Sequence, residues 1–228
     1  MGELIKEPLD HPIIRPSVEA MAETYELAVS EPELASATSP YTGESINRFL
    51  HIAESNEDLF LQNKMQRKLG QLTGTCFQRC VGMDAFNALH SVTYEIDEKY
   101  KTDYHKKFIS FLTKMHESNL VIGGAMTDVK GDRSKPPHQQ ADQDLYLRVV
   151  KRDKKGVYVS GAKAHQTGCL NSHWMVVMPT LRLTEEDKDY AIVGALPIES
   201  KGITYIYGRQ SCDTRSMEPG EYLSLIHI

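Results

Sequence analysis

The chain has 228 residues, 40% of them apolar and 25% charged, with 26 basic against 31 acidic side chains and a net charge of −5. That size admits one large domain or two ordinary ones, and the dispersed acids argue against a nucleic-acid surface. The longest apolar runs, Leu120–Ala125 and Trp174–Met178, are far too short to span a membrane, and the N-terminus shows no basic region followed by an apolar core.

Residues 3–16 contain Pro12 and Pro16, so an extended segment is expected there. Ser17 is a suitable N-cap for a helix over Val18–Val29, with Glu19 in the first turn. Pro32 and Pro40 mark a loop, and a helix is expected from about Thr42, with Ile46, Phe49, Leu50 and Ile52 on its apolar face. Ser55 followed by Asp58 resembles a capping box for a helix over Asn56–Leu69. Gly70 and Thr73-Gly-Thr75 interrupt the chain. Helical spacing of Val81, Ala85, Ala88 and Leu89 then predicts a helix from Cys76 to His90, and Phe108, Phe111, Leu112 and Met115 predict another over Tyr104–Glu117. Residues 1–119 read as a helical domain.

The pattern changes after Asn119. An apolar run from Leu120 opens into a Gly-containing polar loop at Met126–Arg133, and 134–144 is a polar, proline-bearing loop. Leu145–Lys151 and Val157–Val159 flank a charged turn and read as a hairpin. Further strands are expected at Trp174–Met178, Tyr190–Ala195 and Ile203–Tyr207. Residues 120–222 therefore read as a β-rich domain, giving an α+β chain. The tail, 223–228, is expected to be a truncated or non-native end.

Four cysteines, at 76, 80, 169 and 212, are too sparse for a secreted disulfide scaffold and suit a reducing cytoplasm. Cys76 and Cys80 are four residues apart, so on one helix they would share a face. That spacing suits two thiolates on one soft metal centre and suits a disulfide poorly. Two small buried side chains are the commoner alternative. The Gly161–His173 stretch packs His165, Gln166, Thr167, Asn171, Ser172 and His173 together, as a loop that hydrogen-bonds a polar heterocycle would; a plain polar hairpin connection is the alternative. Lys130, Gly131 and Arg133 could cradle phosphate, although neither GxGxxG nor Walker A spacing is present. Tyr207–Arg215 could grip an anion or form a salt-bridged turn.

Together, Cys76-Phe-Gln-Arg-Cys-Val-Gly-Met-Asp-Ala-Phe-Asn87, Gly124-Ala-Met-Thr-Asp128 with Lys130-Gly-Asp-Arg133, Gly161-Ala-Lys-Ala-His-Gln-Thr-Gly168 and Ile206-Tyr-Gly-Arg-Gln-Ser-Cys-Asp-Thr-Arg215 resemble the 4-hydroxybutyryl-CoA dehydratase family. Asp10-His-Pro and Ile14-Arg-Pro-Ser17 agree. That family lies within the superfamily of flavin-dependent 4-hydroxyphenylacetate 3-hydroxylases, whose fold is similar to acyl-CoA dehydrogenases. The resemblance implies a helical N-terminal domain, a barrel-like β domain and a C-terminal helical domain lacking here. It implies FAD, contacted by Met126, Thr127, Asp128, Lys130, Gly131, Asp132, Arg133, His165, Gln166, Thr167, Ile206, Tyr207, Gly208 and Arg209. It also implies a [4Fe–4S] cluster with Cys76 and Cys80 as two of four ligands, the others lying outside this chain.

The implied reaction converts 4-hydroxybutyryl-CoA to crotonyl-CoA, with vinylacetyl-CoA isomerisation alongside, in a cytoplasmic homotetramer. The α-proton is acidified by the thioester, the β C–H is not activated and hydroxide leaves poorly. One-electron transfer to FAD and a Lewis-acidic cluster iron are the family's answer. Thr167 would sit by the flavin and Gln78 by the cluster, as the catalytic candidates. The rival expectations are a flavin-dependent aromatic hydroxylase without iron and a non-catalytic folded fragment.

Overall fold

Pro16 opens a helix instead of preventing one. In the computed structural model of the chain, which describes residues 4–208, helix α1 spans Arg15–Ser30 with proline in its first turn, where the missing N–H costs nothing. The extended lead-in expected for 3–16 is accordingly shorter: Pro8–Asp10 is a 3-10 turn, and Ser17 lies inside α1 with Ile14 at the cap.

The next stretch departs from its apolar periodicity. A single helical turn, α2 (Pro32–Ala35), leads into β1 (Ser36–Thr38), which pairs antiparallel with β2 (Ser45–Asn47). The helix expected from Thr42 is thus a strand followed by a 3-10 turn at Arg48–Leu50. Asn47 explains the change: its N–H donates to the Asn119 side chain, its Nδ2 to the Thr24 carbonyl, and its Oδ1 accepts from the Phe49 N–H. Buried Arg48 likewise donates to the carbonyls of Glu33, Leu34 and Ser36. Such side chain–backbone bonds offer the chain an alternative to helix.

The capping box is present. Ser55 Oγ accepts from the Asp58 N–H and Asp58 Oδ2 from the Ser55 N–H, at the start of α3 (Asn56–Thr73). Helix α4 spans Cys80–Tyr100, starting later and ending later than expected, while α5 (Tyr104–Glu117) has the expected bounds. Ile46, Leu50, Phe86, Leu112 and Met115 from the helical part share a core with Ile122 and Val176.

Those last two residues lie on a three-stranded sheet. Its centre is β6 (Trp174–Val177), parallel to β3 (Ile122–Ala125) and antiparallel to β7 (Gly194–Pro197). Helix α4 touches the sheet through Gly82, where a Cβ would meet the Ile122 carbonyl oxygen at 2.2 Å. The hairpin is β4 (Arg148–Asp153) with β5 (Gly156–Ser160), a separate two-stranded sheet. The fold is α+β, and the barrel-like expectation is corrected: the described residues form small separate sheets and no closed barrel.

Three expected strands also change. Gln143–Leu145 is a 3-10 turn capped by Asp142, which delays β4. A 3-10 segment over Glu185–Tyr190, boxed by Thr184 and Asp187, pushes the expected 190–195 strand to β7. Residues 203–207, expected as a strand, are irregular. No helix among the described residues is long and apolar enough to cross a membrane. Arg209, Cys212, Asp213, Arg215 and the 223–228 tail lie outside the described residues.

Candidate functional site

The cysteine pair does not share a helix face. Helix α3 ends at Gly74 in a left-handed conformation, φ +60°, and Cys80 is the first residue of α4, so Cys76 lies in the loop between them. What joins the thiols is the turn at Gln78, whose φ of 68° is left-handed. A non-glycine residue there costs about 1–2 kcal/mol, which surrounding contacts must offset. The interaction between the two thiols, opposed by partial desolvation and helped by the Gln78 N–H, lowers the Cys76 pKa to about 6. The same interaction, with burial, raises Cys80. Both are free cysteines, and Cys76 is exposed. Two neighbouring sulfurs of which one loses its proton readily are half of the thiolate set that a tetrahedral soft metal requires. Among the described residues no group of three or more His, Cys, Asp or Glu gathers to hold an ion, so the pair fits a cluster only as two ligands of four.

Gln78 is 5% exposed and fully engaged. Its Nε2 donates to the Ser17 carbonyl at 2.9 Å and the Ser17 hydroxyl at 2.8 Å, and its Oε1 accepts from Asn171 Nδ2 at 2.7 Å. A cavity of about 460 Å³ opens beside this network, lined by Ser17, Glu23, Thr75, Cys76, Gln78 and Thr167 among others. It is within the size range of small-molecule sites. Cys76 and Gln78 thus face one space with Thr167, a candidate far from them in sequence. Cys80, the first residue of α4, is half-buried and is not part of that lining.

The two longer candidate segments also meet. Ala164 N–H and Gln166 Nε2 both donate to the Thr127 carbonyl, and Asp128 bridges to Lys163. The Asp128 carboxylate, 4% exposed, accepts from Lys163 Nζ at 2.6 Å. That ammonium also donates to the carbonyls of Met126 at 3.0 Å and Met178 at 2.9 Å. The space around this pair is only about 10 Å³, room for one water at most. Asp128 is therefore a structural member of its segment.

Beyond it, Lys130 and Gly131 have φ of 77° and 54°, and Gln140 braces the turn by accepting from the Asp132 N–H and donating to the Asp132 and Lys135 carbonyls. Asp132 and Arg133 are exposed, as are His165 and Thr167, while Met126, Thr127 and Gln166 are half-buried. Ile206 is 93% exposed, Tyr207 half-buried and Gly208 exposed.

The polar loop is not free to bind a heterocycle with all its groups. Asn171 serves Gln78, Ser172 Oγ donates to the Gly168 carbonyl, and His173 Nδ1 accepts from the Val121 N–H. Cys169 is half-buried, and burial raises its thiol. Sequence reasoning missed the roles of Lys163 and Ser17. Each sits inside a quoted motif, but only the folded chain shows which acceptors they meet.

The description "4-hydroxyphenylacetate 3-hydroxylase N terminal" fits residues 1–224 of the chain. The chain is 53% identical, over 98% of its length, to 4-hydroxybutyryl-CoA dehydratase/vinylacetyl-CoA-Δ-isomerase of Clostridium aminobutyricum, of which it covers 46%. It is 25% identical over 90% of its length to the 4-hydroxyphenylacetate 3-monooxygenase oxygenase component of Thermus thermophilus, covering 42% of that protein. Among solved structures, an oxygen-tolerant archaeal 4-hydroxybutyryl-CoA dehydratase from N. maritimus matches 96% of the chain with a TM-score of 0.92 and 72% identity, and 44% of that protein is covered. A 4-hydroxyphenylacetate 3-monooxygenase oxygenase component complexed with FAD matches in fold, with a TM-score of 0.68 at 22% identity over 88% of the chain and 41% of that protein. The chain spans about half the length of the curated relatives it matches.

Proposed function

We propose, since this chain belongs to the 4-hydroxyphenylacetate 3-hydroxylase N-terminal family, that the whole protein is a 4-hydroxybutyryl-CoA dehydratase that also isomerises vinylacetyl-CoA. The far higher identity to the dehydratase than to the hydroxylases carries this reading. The meeting of Cys76, Gln78 and Thr167 on one cavity supports it. The intact enzyme would have an acyl-CoA dehydrogenase-like fold, with 1–119 as its helical domain, 120–222 as its flavin-contacting domain and a further helical domain completing the site. A cytoplasmic homotetramer is part of the same proposal. The chain alone, covering about half of such an enzyme, would be inactive.

Bound FAD would supply one-electron chemistry and a [4Fe–4S] cluster a Lewis-acidic iron for the leaving hydroxyl. Cys76 and Cys80 would hold iron as thiolates, their spacing set by the Gln78 turn. Thr167, exposed on the cavity, offers a hydroxyl to the flavin side, and Lys130 and Arg133 offer cations to its phosphates. Gln78 contributes by holding the loop between the sulfurs, because its amide is already committed to Ser17 and Asn171.

The second reading is a flavin-dependent aromatic hydroxylase using FAD and dioxygen, favoured by the family match itself. It leaves Cys76 as a packing residue, which its exposure does not suit. Iron, sulfide and flavin quantification on anaerobically purified full-length protein separates the two. We expect stoichiometric flavin with cluster iron, and loss of the iron in Cys76→Ser. Full flavin without iron would defeat the dehydratase reading.

A further inference from the structure

Gln78 is the point where three separate parts of the chain are tied. Besides its bonds to Ser17 and Asn171, Asn171 Nδ2 donates to Ser17 Oγ at 2.9 Å, which closes a ring of side chains from α1, the cysteine loop and the 3-10 turn at Cys169–Asn171. The orientation of the Gln78 amide follows from chemistry. A carbonyl only accepts, so the atom facing the Ser17 carbonyl is nitrogen, and the opposite oxygen must accept from Asn171. Gly168 closes the other side. Its φ is +80°, and a Cβ there would come within 2.6 Å of the Gln78 Cβ. Gln78 itself is buried, while Ser17 and Asn171 are half-buried.

The ring also ties together two segments that line the cavity, the cysteine loop and the Thr167 segment. Gln78 lies midway between Cys76 and Cys80, and Asn171 follows Thr167-Gly168 on the same short turn. We propose that Ser17 and Asn171 are positioning residues: they hold Gln78 in its left-handed turn and thereby fix the cysteine loop against the Thr167 segment. What each side does in turnover rests on the functional reading above; the clamp itself is a property of this fold.

The test uses the full-length protein as wild type, Asn171→Ala, Ser17→Ala and Ser17→Thr. Deuterium uptake over 74–80 in metal-free protein reads the clamp without reference to activity. Uptake there should rise roughly tenfold in rate in N171A and S17A, as loss of a tertiary hydrogen bond implies, and stay near wild type in S17T, which keeps the hydroxyl. In loaded enzyme, kcat should fall with KM held within about twofold, and the electron paramagnetic resonance signal of the reduced cluster should broaden in the same two variants. Unchanged uptake at 74–80 in both N171A and S17A overturns the proposal, as does an S17T that behaves like S17A. Should N171A fail to fold, the two Ser17 variants decide. A wild-type protein without iron would sink the dehydratase reading alone, since the uptake comparison still decides the clamp.

Discussion

Replacing Lys163 with methionine tests how the segment after β3 is held. The ammonium has three hydrogens and three acceptors: Asp128 Oδ1 at 2.6 Å, the Met126 carbonyl at 3.0 Å and the Met178 carbonyl at 2.9 Å. With side chains only 10% and 3% exposed, neither charge can turn to water. Methionine preserves the stem volume but leaves a buried carboxylate without a counter-ion. Breaking a buried pair from one side costs about 3–5 kcal/mol, most of it the stranded charge. Asp128→Asn removes that charge, so the double variant K163M/D128N should recover about 1–3 kcal/mol relative to K163M. Native-state hydrogen exchange on the full-length protein reads the effect locally, as the opening free energy of amides in β3, β6 and residues 126–128. Flavin content should fall together with it. A loss below about 1 kcal/mol in K163M would refute the premise of a desolvated pair, because exposed ion pairs lie in that range. A double variant no better than K163M would refute the stranded-charge account.

Two further outcomes follow from the geometry. Gly82→Ala places a Cβ 2.2 Å from the Ile122 carbonyl oxygen and 2.6 Å from its Cγ2, so α4 must lift from β3. Overpacking of this kind costs about 1–3 kcal/mol, seen as a lowered unfolding temperature, and an unchanged one would contradict the close approach. Asp187, 1% exposed, is raised by burial but held at about 2 by hydrogen bonds from His138 and Thr184. A folded pKa below the unfolded value of 3.8 means that its contribution is complete above about pH 4 and disappears as pH falls towards 2. Acid unfolding should accordingly be shallower across that window in Asp187→Asn, by about 2 kcal/mol, and equal slopes would refute the assignment.

Much of the fold was legible where the signal is local. The Ser55–Asp58 box, the amphipathic run of α5 and the β4–β5 hairpin all depend on contacts within a few residues, and each is present, the hairpin with shifted strand ends. Apolar spacing failed at Ile46–Leu50 because Asn47 and Arg48 find partners on Thr24, Leu34 and Asn119, which no local pattern reveals. The barrel-like arrangement that the resemblance implied is not formed by the described residues, for a related reason. Alternation marks a strand, but which strands pair depends on how α4 and the 3-10 turns hold them.

The cysteine pair shows the same division at the site. Residue types determined that Cys76 and Cys80 could bind a soft metal, and the longer motifs determined which family the chain resembles. Their geometry was beyond the sequence. A four-residue spacing suggests one helix face, whereas the chain breaks its helix at Gly74, turns through a left-handed Gln78 and starts again at Cys80. That turn has an intrinsic cost, so it exists only where other elements stabilise it. Ser17 and Asn171 do so from far along the chain, and only tertiary folding brings them within hydrogen-bond reach of Gln78.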